Sequence, residues 1–220
     1  MAAPPPEAPG LPRVEVQLHS LRVPEREVSR LASLLSREER ERAGRYRCAQ
    51  DRHRFVARRG RLREVLGGKL AVPAASLALD GGRFEKPRLA GTQLRFSVSH
   101  SADLMMLAIA DVEVGCDIER LDLSFDWQSV SPTICADAEL SRLGRLSSTA
   151  ARQQFFDWWT QKEAVVKAIG DGLAYPVRSI DLTGPRDLIV AGDRKWRVST
   201  LSPAPGYCGA VAVEESARSS

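Results

Sequence analysis

Apolar and polar positions alternate most plainly over residues 14–21. Val14, Val16 and Leu18 interleave with Glu15, Gln17 and His19, a period of two that predicts a strand. Residues 24–35 and 37–66 predict helices. Ser36 with Glu39 three residues on forms a capping box for the second, and Gly67-Gly68 predicts its end. Gly81-Gly82 marks a turn. Residues 94–98 and 104–110 predict two strands joined through Ser99-His100-Ser101, and a turn at 111–113 leads into a third at 114–118. Residues 149–169 predict a long helix closed by Gly170 and Gly172. Four strands follow, at 180–182, 188–191, 196–201 and 208–213.

In this order strands cluster after helices instead of alternating with them. That predicts an α+β fold with antiparallel sheets. A helix followed by strands occurs in both halves, which points to two related lobes. Residues 1–12 are rich in Pro and Ala with no apolar period and predict a disordered tail; 216–220 are small and polar. At 220 residues and 43% hydrophobic, the chain is long and apolar enough to bury a core. It lacks both an apolar run of membrane-spanning length and a basic-then-apolar leader, so a cytoplasmic protein without membrane contact is expected. Cys48, Cys116, Cys135 and Cys208 show neither CxxC pairing nor zinc-ligand spacing and read as reduced thiols. The net charge of +4 suits acidic partners.

Four groups of residues could carry chemistry. Asp117 and Glu119, two apart on a strand, leave by one face, where a hard cation such as Mg²⁺ could lie between them; a solvated face beside Arg120 would give the same pattern. Glu163 and Lys167, four apart on the long helix, share a face, as a simple salt pair also would. Ser97, Ser99, His100 and Ser101 lie close together, but no GxSxG elbow accompanies them, so a serine hydrolase is not indicated. Eleven arginines fall between Arg37 and Arg63, partly offset by Glu38, Glu39, Glu41 and Asp51; guanidinium forks suit phosphate, though a solvated helix face would carry the same residues.

Taken in order, Phe96-Ser-Val-Ser-His-Ser101, Val114-Gly-Cys-Asp-Ile-Glu119 and Trp159-Thr-Gln-Lys-Glu-Ala-Val-Val-Lys167 resemble the signature blocks of the Sfp-type 4'-phosphopantetheinyl transferases. Glu85-Lys86-Pro87 resembles a further block, and the likeness spans roughly residues 13–214. The resemblance implies two similar lobes related by a pseudo-twofold, each a small antiparallel sheet packed with helices, here 13–111 and 112–215, with the active site between them. It implies Asp117, Glu119 and Glu163 as ligands of Mg²⁺ (or Mn²⁺). Lys167 would lie by the pyrophosphate of coenzyme A, and Arg42, Arg45, Lys86, Ser99 and His100 would hold the nucleotide. Glu163 would be the base for the attacking serine, directly or through a metal-bound water. Departures are Ser97, where the family often has Asn, and Glu39, where a basic residue often helps to hold the 3'-phosphate; Arg45 or another arginine would then compensate.

The expected reaction moves phosphopantetheine from coenzyme A to a serine of an apo acyl, polyketide or peptidyl carrier protein and releases adenosine 3',5'-bisphosphate. The expected enzyme is a monomer. A nucleic-acid-binding module built on the arginine helix explains less: only Tyr46 and Phe55 interleave its cations, and the three carboxylates have no role. The same residues would also suit a non-catalytic relative that binds carriers or coenzyme A, or a metal-dependent phosphodiesterase.

Overall fold

Val16 is the buried residue of the first strand, β1 (Glu15–Ser20), where alternation begins the first sheet. Three helices follow: α1 (Glu25–Ser33), α2 (Arg37–Gly44) and α3 (Ala49–Leu70). A short ladder of β2 (Leu79–Asp80) and β3 (Arg88–Leu89) leads to β4 (Arg95–Ser101) and β5 (Leu104–Ala110). The second half repeats the plan. It runs β6 (Val114–Arg120), α4 (Trp127–Ile134), α5 (Asp137–Leu143), α6 (Ser148–Ile169), β7 (Leu188–Ala191), β8 (Arg194–Leu201) and β9 (Tyr207–Glu214). This is a computed structural model that describes residues 14–80, 86, 88, 89, 91–170, 172–184 and 188–215. The expected tails, the turn at Gly81-Gly82 and residues Glu85 and Pro87 lie outside the described residues.

Two antiparallel sheets result, ordered β1-β5-β4 and β6-β9-β8-β7. In each, the first strand pairs with the last and the last with the one before it. Each sheet is packed by a 22-residue helix, α3 or α6. The fold is therefore α+β and two-lobed. Strand β5 is apolar at every position, LMMLAIA, because both its faces are covered. Met105, Leu107 and Ile109 face the core formed with α1 and α3. Met106, Ala108 and Ala110 face a second core shared with Val114, Cys116 and Ile118 of β6 and Val211 and Val213 of β9. That shared core joins the sheets, and it sends Gly115, Asp117 and Glu119 of β6 to the opposite face.

On that face Gly115 decides how closely α6 can approach. A methyl group there would come within 1.9 Å of the Ala164 carbonyl oxygen and 2.5 Å of the Ala168 nitrogen. Both are backbone atoms, so the helix itself would have to move. Gly115→Ala is expected to destabilise the protein by at least ~1–3 kcal/mol. The check is a urea titration: an unchanged midpoint would show that α6 does not rest on β6 as described.

Several elements differ from expectation. Residues 37–66 are not one helix: the chain breaks between Gly44 and Ala49. The capping box of Ser36 and Glu39 is present, but Glu39 also bonds Arg59 and Arg63 of α3. In one continuous helix, residues 39 and 59 would be ~30 Å apart; folding back at the break brings them together. Nor does Gly67-Gly68 end the helix, which continues to Leu70 and closes on Ala71 in the left-handed region at φ 54°. Strand β4 runs on through Ser99, His100 and Ser101, and the turn falls at Ala102, φ 48°. Residues 180–182 form no strand, and α4 and α5 were not anticipated. No helix among the described residues is long and apolar enough to cross a membrane.

Candidate active site

Where the two sheets meet, β4 and β6 lie side by side and are joined through side chains. Ser97 Oγ accepts from the Cys116 backbone nitrogen at 3.1 Å. Ser99 Oγ donates to Asp117 Oδ1 at 2.7 Å. Ser101 Oγ donates to Glu119 Oε2 at 2.8 Å and accepts from the Arg120 nitrogen at 3.0 Å. Alternation on β4 turns all three serines to β6, so the FSVSHS block is the seam between the lobes. Ser97, replacing the common Asn, satisfies a buried N–H. The signal for Ser97 and Ser101 was that each lies two residues from Ser99 along a strand.

The carboxylates of β6 meet α6 on the face opposite the shared core. Lys167 Nζ lies 2.5 Å from Asp117 Oδ1 and 3.0 Å from Ser99 Oγ. Lys167 is thus paired across the fold with Asp117, and not with Glu163 in the simple helical salt pair its spacing allowed. Burial opposes its charge, but Asp117 outweighs burial and holds the Lys167 pKa above its ordinary value. Asp117 is 2% exposed, and its Oδ2 is buried without a hydrogen-bond partner among the described residues. Burial chiefly, then the charges of Asp117 and Glu163, push Glu119 up to about 7, against the bond from Ser101. Burial also raises the Glu163 pKa, with Asp117 adding and Lys167 opposing. Three carboxylates and the Lys167 ammonium therefore meet across the gap between β6 and α6. No group of three His, Cys, Asp or Glu side chains among the described residues is closed tightly enough to hold a metal ion as it stands.

The expected nucleotide residues divide. Ser99 and His100 stand beside this group on β4. His100 is exposed at the surface, but desolvation in the cleft and the cations Arg58, Lys167 and Arg54 lower its pKa to about 4, so the ring is neutral. Arg58, which sequence reasoning did not single out, places Nη1 2.7 Å from His100 Nε2. Arg42 is exposed, its guanidinium 5.3 Å over the Phe55 ring. Arg45 is exposed at the end of α2. Lys86 is not beside His100. It bonds Glu113 at 2.8 Å and approaches the Ala168 carbonyl oxygen at 3.4 Å, at the C-terminal end of α6; Arg88 and Arg95 share Glu113.

Two further buried charges were missed because their partners are remote in sequence. Lys162, next to Glu163, is fully buried and bonds Glu139 of α5 at 2.6 Å and the Ile134 carbonyl oxygen at 2.8 Å. Glu139 also accepts from the Ala136 and Leu182 nitrogens, each at 2.8 Å. This cluster fixes the position of α6 against α4 and α5, and hence the helix that carries Glu163 and Lys167.

Both halves of the chain match known families in sequence. Residues 113–210 match the 4'-phosphopantetheinyl transferase superfamily, and residues 23–112 match the family described as 4'-phosphopantetheinyl transferase, N-terminal. The chain is 34% identical over 221 residues to the 4'-phosphopantetheinyl transferase HetI of Nostoc sp., covering 94% of this chain and 92% of that protein. It is 36% identical over 116 residues to AcpT of Salmonella typhi, covering 52% of this chain and 58% of that one. It is 27% identical over 175 residues to gsp of Aneurinibacillus migulanus, covering 79% and 73%. With the carboxylates of β6 meeting the acid and lysine of α6, and with likeness along almost its whole length, the chain belongs to the 4'-phosphopantetheinyl transferase superfamily.

Proposed function

We propose that this protein transfers phosphopantetheine from coenzyme A to a serine of an apo acyl or peptidyl carrier protein and releases adenosine 3',5'-bisphosphate, at a site between lobes 13–111 and 112–215. The observation that carries the proposal is the meeting of Asp117, Glu119, Glu163 and Lys167 where the sheets join. The buried Asp117 Oδ2, unpartnered among the described residues, and the crowding that raises Glu119 and Glu163 fit a hard divalent cation, Mg²⁺ or Mn²⁺. A magnesium ion commonly takes one or two protein carboxylates and completes its shell with waters and phosphate oxygens, so a closed protein cage is not required. Bound there, the cation would supply Lewis-acid neutralisation of phosphate charge.

The remaining steps belong to the chain. A serine hydroxyl needs a base within ~3 Å, and the Glu163 carboxylate takes its proton. The serine oxygen bonds to the phosphorus next to pantetheine. The bond from that phosphorus to the bisphosphate oxygen breaks, and the leaving group departs with the electron pair. Lys167, steered by Asp117 and Ser99, supplies positive charge beside the departing phosphate. His100, Ser99 and Arg42 bind the nucleotide, with Arg45 and Lys86 at its margins. A net charge of +4 favours encounter with an acidic carrier, an effect that added salt screens.

The test is the intact mass of several apo carrier proteins after incubation with the protein, coenzyme A and Mg²⁺. A gain of one phosphopantetheine that EDTA abolishes and excess Mg²⁺ restores is the expected result. Coenzyme A bound without any gain would leave a non-catalytic binding relative. Pantetheine phosphate released to water would make the protein a phosphodiesterase.

A further inference from the structure

Strands β4 and β6 are the facing edges of two separate sheets, and among the described residues no ladder of backbone hydrogen bonds joins them. Serine hydroxyls take its place. Ser97 Oγ accepts from the Cys116 nitrogen and Ser101 Oγ from the Arg120 nitrogen, each nineteen residues further along the chain. The equal offset means that the two strands run in the same direction in fixed register. Side chains on one face of a strand recur at every second position, so Ser99 points to β6 between the other two.

A hydroxyl carries one proton and rotates until its partners fix it. Ser101 Oγ takes the Arg120 N–H at 3.0 Å, and its own proton goes to Glu119 Oε2 at 2.8 Å. Ser99 is filled in the same way: Lys167 Nζ donates to its oxygen at 3.0 Å, and its proton goes to Asp117 Oδ1 at 2.7 Å. Each carboxylate of β6 is therefore held by one oxygen from the neighbouring sheet. The second oxygen of each, Asp117 Oδ2 and Glu119 Oε1, takes no hydrogen bond among the described residues. Ser97 differs, because it reaches no carboxylate among the described residues. Glu119 turns about more side-chain bonds than Asp117 and has no ammonium bonded to it here, so Ser101 is what limits its rotamers. Without that bond, ordering the side chain would oppose cation binding.

We propose that Ser101 is a positioning residue for the divalent cation: from the neighbouring sheet it holds Glu119 Oε2 and leaves Oε1 for the metal. This rests on the cation reading above. The seam between the sheets then also aims the carboxylates, and a residue that touches neither substrate nor metal sets the affinity for the ion.

The experiment adds Mn²⁺ stepwise to the protein, with and without coenzyme A and with no carrier present, and follows the free ion by paramagnetic resonance. It compares wild type, Ser101→Ala, Ser101→Thr and Ser97→Ala, with a urea midpoint for each. Ser101→Ala is expected to weaken Mn²⁺ binding about 10- to 100-fold, the usual loss when the partner of a metal ligand is removed. Ser101→Thr keeps the hydroxyl and should restore wild-type affinity. Ser97→Ala removes a bond across the same seam without touching a carboxylate; it should lower the urea midpoint and leave Mn²⁺ affinity unchanged. In transfer assays Ser101→Ala should need correspondingly more Mg²⁺ to reach half its full rate, with KM for coenzyme A at saturating Mg²⁺ unchanged. Wild-type affinity in Ser101→Ala, equal weakening in Ser97→Ala, or no restoration in Ser101→Thr would overturn the assignment and leave the cation reading standing. A wild type that binds no Mn²⁺ in either condition would overturn both. If wild type binds Mn²⁺ but transfers nothing, the transferase reading fails, and the Mn²⁺ comparison still decides the role of Ser101.

Discussion

Glu163→Gln is expected to lower the rate of phosphopantetheine transfer by about 10²- to 10⁴-fold, the usual contribution of a positioned base, while leaving the urea midpoint unchanged or slightly higher. Stability and activity should separate here because the carboxylate does little for the fold. It is half-buried, and its hydrogen bonds within the described residues include none to a neighbouring side chain. Burial and the nearby Asp117 disfavour its charge, with Lys167 compensating in part. A carboxylate whose folded pKa lies above its unfolded value costs stability that grows as pH rises past the unfolded value and is complete above the folded one, so a neutral amide of the same shape removes a cost. Carrier mass gain against time gives the rate, and urea unfolding gives the stability. Near-normal turnover would remove Glu163 from the chemistry, and a lowered midpoint would make it a structural residue.

The second large effect is expected one residue earlier and in the opposite sense. Lys162→Met should destabilise the protein by ~3–5 kcal/mol, lowering Tm by about 10 °C. Lys162 and Glu139 are both fully buried, and removing the ammonium leaves a carboxylate in the core facing only N–H donors from Ala136 and Leu182. The Ile134 carbonyl oxygen also loses its donor. The double variant Glu139→Gln/Lys162→Met removes both charges, keeps an acceptor for Leu182, and should recover most of the loss. A single variant as stable as wild type would show that the pair is not the anchor of α6. Full recovery of transfer in the double variant would show that its role is placement of the helix and not contact with substrate.

Elements whose signal is local were legible. The alternation around Val16 marked β1, the apolar run LMMLAIA marked a strand, and three-to-four spacing closed by Gly170 marked α6. The capping box at Ser36 and the shared face of Asp117 and Glu119 follow from spacing alone, because strand and helix periods are properties of the backbone. Shorter elements were missed. Helix α4 has eight residues with Pro132 inside it, and α5 has seven, too few turns for a period to show. Fold and family could therefore be read from residue type, order and spacing.

Pairing of charge could not. Spacing offered Lys167 to Glu163, four residues away, whereas the fold gave it to Asp117, fifty residues away. Glu39 looked like a lost phosphate ligand and is a buried anchor for two arginines. A side chain's periodicity is set by its own segment, so the sequence determined which elements form and which faces they bury. Its electrostatic role is set by whatever chain crosses it within a few ångströms, and that only the tertiary structure decided.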